Sequence, residues 1–301
     1  MEDVSKEWLT HRVTEEEDGR RIESIIKHTL GFSRRRVQVL TRSNGFTLNG
    51  KKAHLDRRVK TGDLLRVCVH QEEESNLAPV EMDLVILYED DDLLVLDKPP
   101  GIEVHPPEQK ARFRPTLAHG VAHYFEQQGL KARVRPLHRL DKDTTGVVVF
   151  AKSAFAHQAL DRQLRKDSLQ RGYQAILIDE PAEAVGSIRA PIGRDPDHPM
   201  RRMVCDDGEE AVTHYRVRQT LPNRLCLVEV QLETGRTHQI RVHFSHLGIP
   251  LVGDRMYGGH SPLIERQALH SAWVSFQQPR TGEIVKVTAE LPEDMRRLLE
   301  P

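Results

Sequence analysis

The 301-residue sequence contains little of what builds a stapled, membrane-spanning or metal-centred protein. It has three cysteines, Cys68, Cys205 and Cys226, which are too few and too scattered for a disulfide framework or a zinc site. Such sparse usage predicts free thiols in a reducing, cytoplasmic setting. No apolar run approaches the roughly 20 residues needed to cross a bilayer. The opening MEDVSKEW is acidic and polar, unlike a signal or transit peptide. Sixteen histidines could suggest a metal, and His238, His243 and His246 lie close together in sequence. Yet there is no HExxH and no Cys/His set, so neither a metal nor a cofactor is expected. Internal repeats and low-complexity tracts are also lacking.

What is present is charge. Charged residues make up 30% of the chain, hydrophobic residues 38%, and the formal net charge is -1. That near-neutral total conceals an asymmetry. Residues 1–18 carry two basic against seven acidic side chains, whereas residues 19–70 carry 13 Lys/Arg against Glu23, Asp56 and Asp63, a net of +10. An excess of that size over about 50 residues is an electrostatic footprint for a polyanion.

The basic stretch has internal order. Ile22, Ile25, Ile26 and Leu30 follow helical spacing, and Ser33 can cap a second helix through Arg34-Arg35-Arg36 to Leu40. Asn49-Gly50 between Phe46-Thr47-Leu48 and Lys51-Lys52-Ala53 is a two-residue hairpin signal. A strand from Leu64 to Val69 closes the unit. Residues 1–18 then read as an acidic extension, 19–70 as a small basic domain, 71–80 as an exposed acidic linker and 81–301 as a second, larger domain.

In the larger domain, Leu84–Leu87 and Leu93–Leu96 are strand-like, and Asp97-Lys98-Pro99-Pro100-Gly101 must be an extended loop. Arg135 to Ser153 places His138, Arg139, Asp141, Lys142 and Asp143 directly before Val147–Ala151, a β-branched run that reads as a buried strand. Functional groups are commonly mounted on a loop that a rigid strand holds. Gly172-Tyr173 heads another strand, and Ala190–Arg202 reads as a proline-interrupted loop. In Glu233–His246, Thr237 can cap a helix carrying His238 and Arg241.

These segments occur in a telling order: Asp97-Lys98-Pro99-Pro100-Gly101, His138-Arg139-Leu140-Asp141, Gly172-Tyr173, Gly235-Arg236-Thr237-His238-Gln239-Ile240-Arg241, and Leu269-His270-Ser271-Ala272. The chain resembles the RluA-like pseudouridine synthases over essentially its whole length. Its front resembles the small RNA-binding module named after a small-subunit ribosomal protein. Two departures are visible, Thr145 where Ser is usual and Arg171 where a Lys often stands. The resemblance implies an α+β fold, in which the basic RNA-binding module precedes a catalytic domain on a mixed, largely antiparallel sheet with flanking helices.

The same resemblance implies an isomerase that converts uridine to pseudouridine in structured RNA, acting as a monomer without membrane association. Ribosomal RNA is the expected substrate, and transfer RNA stays open. Asp141 is implied as nucleophile, Arg241 as the guanidinium that keeps it ionised, and Tyr173 as the ring stacked on the target base. Arg139 is implied as a wedge filling the gap left by a flipped base. Its alternative is simple pairing with Asp143. His138 and Arg236 join the expected RNA contacts, with Arg34, Arg35, Arg36, Arg42, Lys51 and Lys52 of the basic module. Attack at C1′, addition at C6 and a glycal route all remain open. A different class of function, a non-catalytic RNA-binding or ribosome-assembly factor, would use the same module without needing Asp141, Tyr173 and Arg241.

Overall fold

The structure, a computed structural model, describes residues 6–75, 77–106 and 114–300. Its first unit is a four-stranded sheet of order β1-β4-β2-β3, with β1 Lys6–Arg12, β2 Phe46–Leu48, β3 Lys51–Lys52 and β4 Leu64–Gln71. The hairpin forms where expected: Asn49 and Gly50 both take positive φ, 51° and 74°, the geometry a two-residue turn needs. Helix α1 (Ile22–Ser24) widens into π-type turns over Ile25–Thr29, and its isoleucines fill the core beneath the sheet. Helix α2 (Arg34–Arg42) starts at Ser33, whose hydroxyl accepts the Arg36 N–H.

The reading of residues 1–18 as an extension is corrected for those described. Lys6–Arg12 is an edge strand paired antiparallel with β4, and Glu17 is buried, accepting from Thr14 N–H and facing His11 Nε2 at 2.7 Å. KEWLTHR shows no apolar–polar alternation, its two apolar residues Trp8 and Leu9 being adjacent, so only the pairing with β4 reveals the strand. Residues 1–5 lie outside the described residues.

The second unit is a ten-stranded sheet. Its strands are β5 (Val85–Glu89), β6 (Leu93–Lys98), β7 (Arg135–Pro136), β8 (Thr145–Ala151), β9 (Gln170–Leu177), β10 (Val185–Arg189), β13 (Val212–Thr220), β14 (Cys226–Leu232), β15 (Leu269–Gln277) and β16 (Ile284–Thr288), with β11 (Ile192–Arg194) and β12 (Arg202–Val204) as a separate hairpin. The order is β10-β13-β14-β9-β15-β8-β6-β5, with β7 on β8 and β16 on β15. All pairings are antiparallel except β8 with β15, so the sheet is mixed as expected. Helices α3 (Leu117–Gln127), α4 (Ala154–Arg165), α5 (Gln239–His246) and α6 (Glu293–Arg297) flank it.

The parallel pair fixes where the site can be. Strands that run the same way begin at the same end, so the loops before β8 and before β15 converge there. One register row, Val230–Tyr173–Ser271–Gly146, crosses four strands at that end. Gly146 (φ 106°) is required, because a Cβ would stand 2.1 Å from the Ser271 carbonyl oxygen.

The expected linker is not free of the larger unit. Glu73 N–H donates to Lys131 O, its carboxylate pairs with Arg135, and Leu77, Met82 and Leu84 pack against the main core. The two units also share a seam. Phe155 of α4 enters the core of the small unit, 5.1 Å from Phe32. The Gly31 carbonyl accepts from Arg162 Nη2 at 2.7 Å and Gln158 Nε2 at 3.1 Å. Arg280 bridges Glu7 and the buried Asp92. Burying a ring such as Phe155 contributes about 1.5–3 kcal/mol.

Candidate active site

Asp141 sits in the loop between β7 and β8, and that loop is held from three sides. Lys98, fully buried, donates from Nζ to the carbonyls of Pro99, Ile102 and Lys142 at 2.7–2.9 Å, tying the DKPPG loop to the peptide after Asp141. Burial lowers the Lys98 ammonium to about 7, against the pull of Asp143 and Asp141. Arg266 Nη1 donates to Asp143 O at 3.2 Å, and Gln267 Nε2 to Thr144 Oγ1 at 3.1 Å.

Arg241 reaches the same point from α5. The turn leading into that helix is held by its first side chain: Gln239 Oε1 accepts the Arg236 N–H and the Thr234 hydroxyl, while its Nε2 donates to Val212 O and Thr213 Oγ1. The N-cap is His238, in left-handed backbone (φ 59°), one residue later than the expected Thr237. Arg241 Nη1 donates to Asp141 Oδ2 at 3.1 Å. Its Nε and Nη2 donate bidentately to Asp254, at 2.7 and 2.9 Å. The Asp254 side chain is 1% exposed and that of Asp141 20%, so one carboxylate anchors the guanidinium and the other stays reachable. Burial disfavours the charged guanidinium, but Asp254 and then Asp141 more than offset it, and its pKa lies above the ordinary arginine value. The Tyr257 ring packs against the guanidinium, 4.9 Å from Cζ to centroid.

Tyr257 also organises His238. Its hydroxyl accepts the Arg202 N–H at 2.9 Å and so directs its own proton to His238 Nδ1 at 2.8 Å. By that network Nε2 carries the imidazole proton, 3.8 Å from Asp141 Oδ1. Burial lowers the His238 pKa despite Asp141 nearby, which favours the neutral ring. Within the expected proline-interrupted loop over 190–202, residues 195–201 are loop and join the short strands β11 and β12, a hairpin that meets the site through Tyr257.

Tyr173, Asp141, Arg139 and Arg236 line one cleft with Leu140, His238 and Arg241. Tyr173 is 5% exposed, and Arg139 lies exposed at the rim; among the described residues it makes no ion pair with Asp143. Arg236 is tethered, to Glu209 and to the Glu210 carbonyl. His138 has a different job from the RNA contact expected of it. Its Nε2 accepts the Val149 N–H at 3.4 Å, and desolvation, aided by the Arg171 charge, lowers it to about 3, so it offers no charge to a phosphate. Histidines 243 and 246 do not join His238: His243 faces Thr213 and the Ala190 carbonyl.

In the small unit, Arg34, Arg35, Arg42, Lys51 and Lys52 are exposed. Arg36 departs from that set. It is half-buried in the seam beside His70, Glu73 and Arg135, where burial lowers its pKa, and its Nε has no hydrogen-bond partner. Asp254 and Tyr257 escaped the sequence reading altogether. The signal available was the compact Gly253-Asp254…Tyr257-Gly258 segment, too short to interpret without knowing that it packs under α5.

Residues 92–246 match the family model described as RNA pseudouridylate synthase, a span that leaves the small unit out. The chain is 42% identical over 287 residues to the RNA pseudouridine synthase YhcT of Bacillus subtilis, covering 95% of this chain and 94% of that one. It is 38% identical over 298 residues to the ribosomal large subunit pseudouridine synthase D of Xanthomonas campestris, covering 93% and 88%. Among solved structures, the human RNA pseudouridylate synthase domain containing 1 is similar at a TM-score of 0.56 and 26% identity, covering 69% of this chain and 83% of that one.

Proposed function

The chain belongs to the RNA pseudouridylate synthase family and isomerises uridine to pseudouridine in RNA; we propose that Asp141 is its nucleophile and that its substrate is ribosomal RNA. The observation that carries the first part is the closed arrangement Asp254–Arg241–Asp141. A guanidinium already anchored by one buried carboxylate presents a single remaining edge to the other. The Asp141 carboxylate is thereby oriented in place before substrate arrives.

Isomerisation breaks the N1–C1′ bond and joins C5 to C1′ while the base is retained. A carboxylate serves as a transient covalent partner, at C1′ or at C6, and leaves when the new bond is made and the C5 proton is lost. The target uridine must first leave its stack, at a cost of a few kcal/mol. Tyr173, beside Asp141, then stacks on the base, and Arg139 at the rim occupies the space the base vacated.

Ribosomal RNA is supported by the similarity to the large-subunit enzyme of Xanthomonas campestris. In this reading the small unit is an RNA-binding module whose exposed Arg34, Arg35, Arg42, Lys51 and Lys52 hold the RNA backbone. The enzyme acts as a monomer in the cytoplasm, where ribosomes are built, and size-exclusion chromatography checks the first of these. The decisive experiment maps pseudouridines in cells lacking the gene and carrying either the wild type or Asp141→Asn. Sites should vanish from ribosomal RNA in the knockout and return only with the wild type. Sites lost from transfer RNA alone would overturn the substrate assignment, and restoration by Asp141→Asn the nucleophile.

A further inference from the structure

Arg171 is a residue that neither the motifs nor the closed carboxylate pair accounts for. It lies two positions before Tyr173 on β9, so the two side chains share the face of the sheet that carries the cleft. Its guanidinium lies over the turn before α5: a Cβ built on Gly235 would be 3.5 Å from Nη2 and 3.8 Å from Nη1. That turn carries Arg236 into the cleft. Arg171 is half-buried, and its Nε is inaccessible and without a hydrogen-bond partner. Among the described residues it makes no ion pair or side-chain hydrogen bond, whereas Arg241, Arg236, Arg266 and Arg280 are each satisfied by a carboxylate.

A partly desolvated guanidinium without a counter-charge is costly unless an anion completes it. Asp141 cannot serve, because Arg241 holds it. The anions that must arrive beside Tyr173 are the phosphates flanking the target nucleotide.

We infer that the Arg171 guanidinium, through its Nη groups, forms a phosphate subsite for the RNA backbone next to the flipped uridine. This rests on the proposed placing of the uridine between Asp141 and Tyr173. The subsite orients the strand while the chemistry is left to Asp141, so its loss should affect binding more than turnover.

The test measures steady-state pseudouridine formation by the full-length protein on total RNA from cells lacking the gene, which contains whatever target exists. Arg171→Gln should raise KM about tenfold or more, the loss expected for one hydrogen-bonded charge contact, while kcat stays within about twofold. The dependence of KM on salt should become shallower by about 0.7–0.9 in the log–log slope, one phosphate's worth. Arg171→Lys, which keeps the charge, should recover most of the affinity and the full slope. An unchanged KM and slope in Arg171→Gln overturns the subsite. So does a Lys variant as impaired as the Gln variant with a matching fall in thermal midpoint, which would mark Arg171 as structural. Asp141→Asn, run in parallel for RNA binding and turnover, keeps the two readings apart. Turnover in that variant would sink the nucleophile and leave the salt slope of Arg171→Gln still informative.

Discussion

The small unit and the cleft use arginine in opposite ways. In the former, Arg34, Arg35 and Arg42 stand in water on one helix, with Lys51 and Lys52 on the adjacent hairpin. Around the latter, Arg241 is locked to Asp254 and Asp141, and Arg266 to Asp294. Free surface charges act at a distance and are screened by salt. Paired charges in the interior act at one spot and hardly at all beyond it. On the proposed reading, the contrast separates attraction of RNA from positioning of one base.

The sharpest way to break that contrast is at the closed pair. Asp141→Asn should abolish product formation with RNA affinity kept within a few-fold, checked by single-turnover assay and filter binding. Arg241→Met strands the buried Asp254 beside an apolar side chain. It should cost about 3–5 kcal/mol of stability and at least about 10²-fold in kcat, read by denaturant melts and steady-state rates. Wild-type values there would place the partner elsewhere. Asp254→Asn tests whether anchoring matters as such. It leaves Arg241 in contact with Asp141 but loosens its hold, so kcat should fall about 10²-fold, the scale of a 1 Å misplacement, with KM little changed.

Changes in the small unit should be milder and of another kind. Replacing Arg34, Arg35 and Arg42 together by Gln should flatten the salt dependence of RNA affinity by about 2 to 3 units, with kcat at saturation within twofold. An undiminished slope would mean that the unit attracts something other than RNA.

The smallest effect concerns pH. His270 is 1% exposed, with Nδ1 2.9 Å from Thr145 Oγ1, and burial lowers it to about 4. Its folded pKa lies below the unfolded value of about 6.5, so the unfolded chain binds the extra proton between those values. Stability is therefore intact above pH 6.5 and lost as pH falls toward 4, by up to about 1.4 kcal/mol per pH unit for this one ring. His270→Gln should make the acid limb of a stability–pH curve shallower by about one proton.

Much of this was legible because motifs are contiguous. His138–Asp141 precedes a β-branched run that could only be buried, and Gly235–Arg241 reads as a turn entering a helix; the structure brings Asp141 and Arg241 into contact across 100 residues. Local capping was equally readable at Ser33, whose hydroxyl accepts the Arg36 N–H expected of it. What failed was anything decided by a partner remote in sequence. Arg36 is indistinguishable from Arg34 and Arg35 until α2 is seen to turn one side toward the seam. Asp254 is an ordinary loop acid until α5 is laid over it. The N-terminal strand carries no alternating pattern, and only β4 supplies the reason it is extended.

The single parallel pairing in the large sheet, His270–Ser271 against Thr145–Gly146, has a kinetic consequence. It joins segments about 125 residues apart, and two strands running the same way cannot be linked by a hairpin. The chain between them must close as one long loop before that contact is gained, which is slow and entropically unfavourable until much of the rest is in place. The loops bearing Asp141 and Arg266 are joined only by that closure. During folding, hairpins such as β13–β14 are therefore available early from local chain. On the proposed assignment of Asp141, catalytic competence is expected among the last properties the molecule acquires.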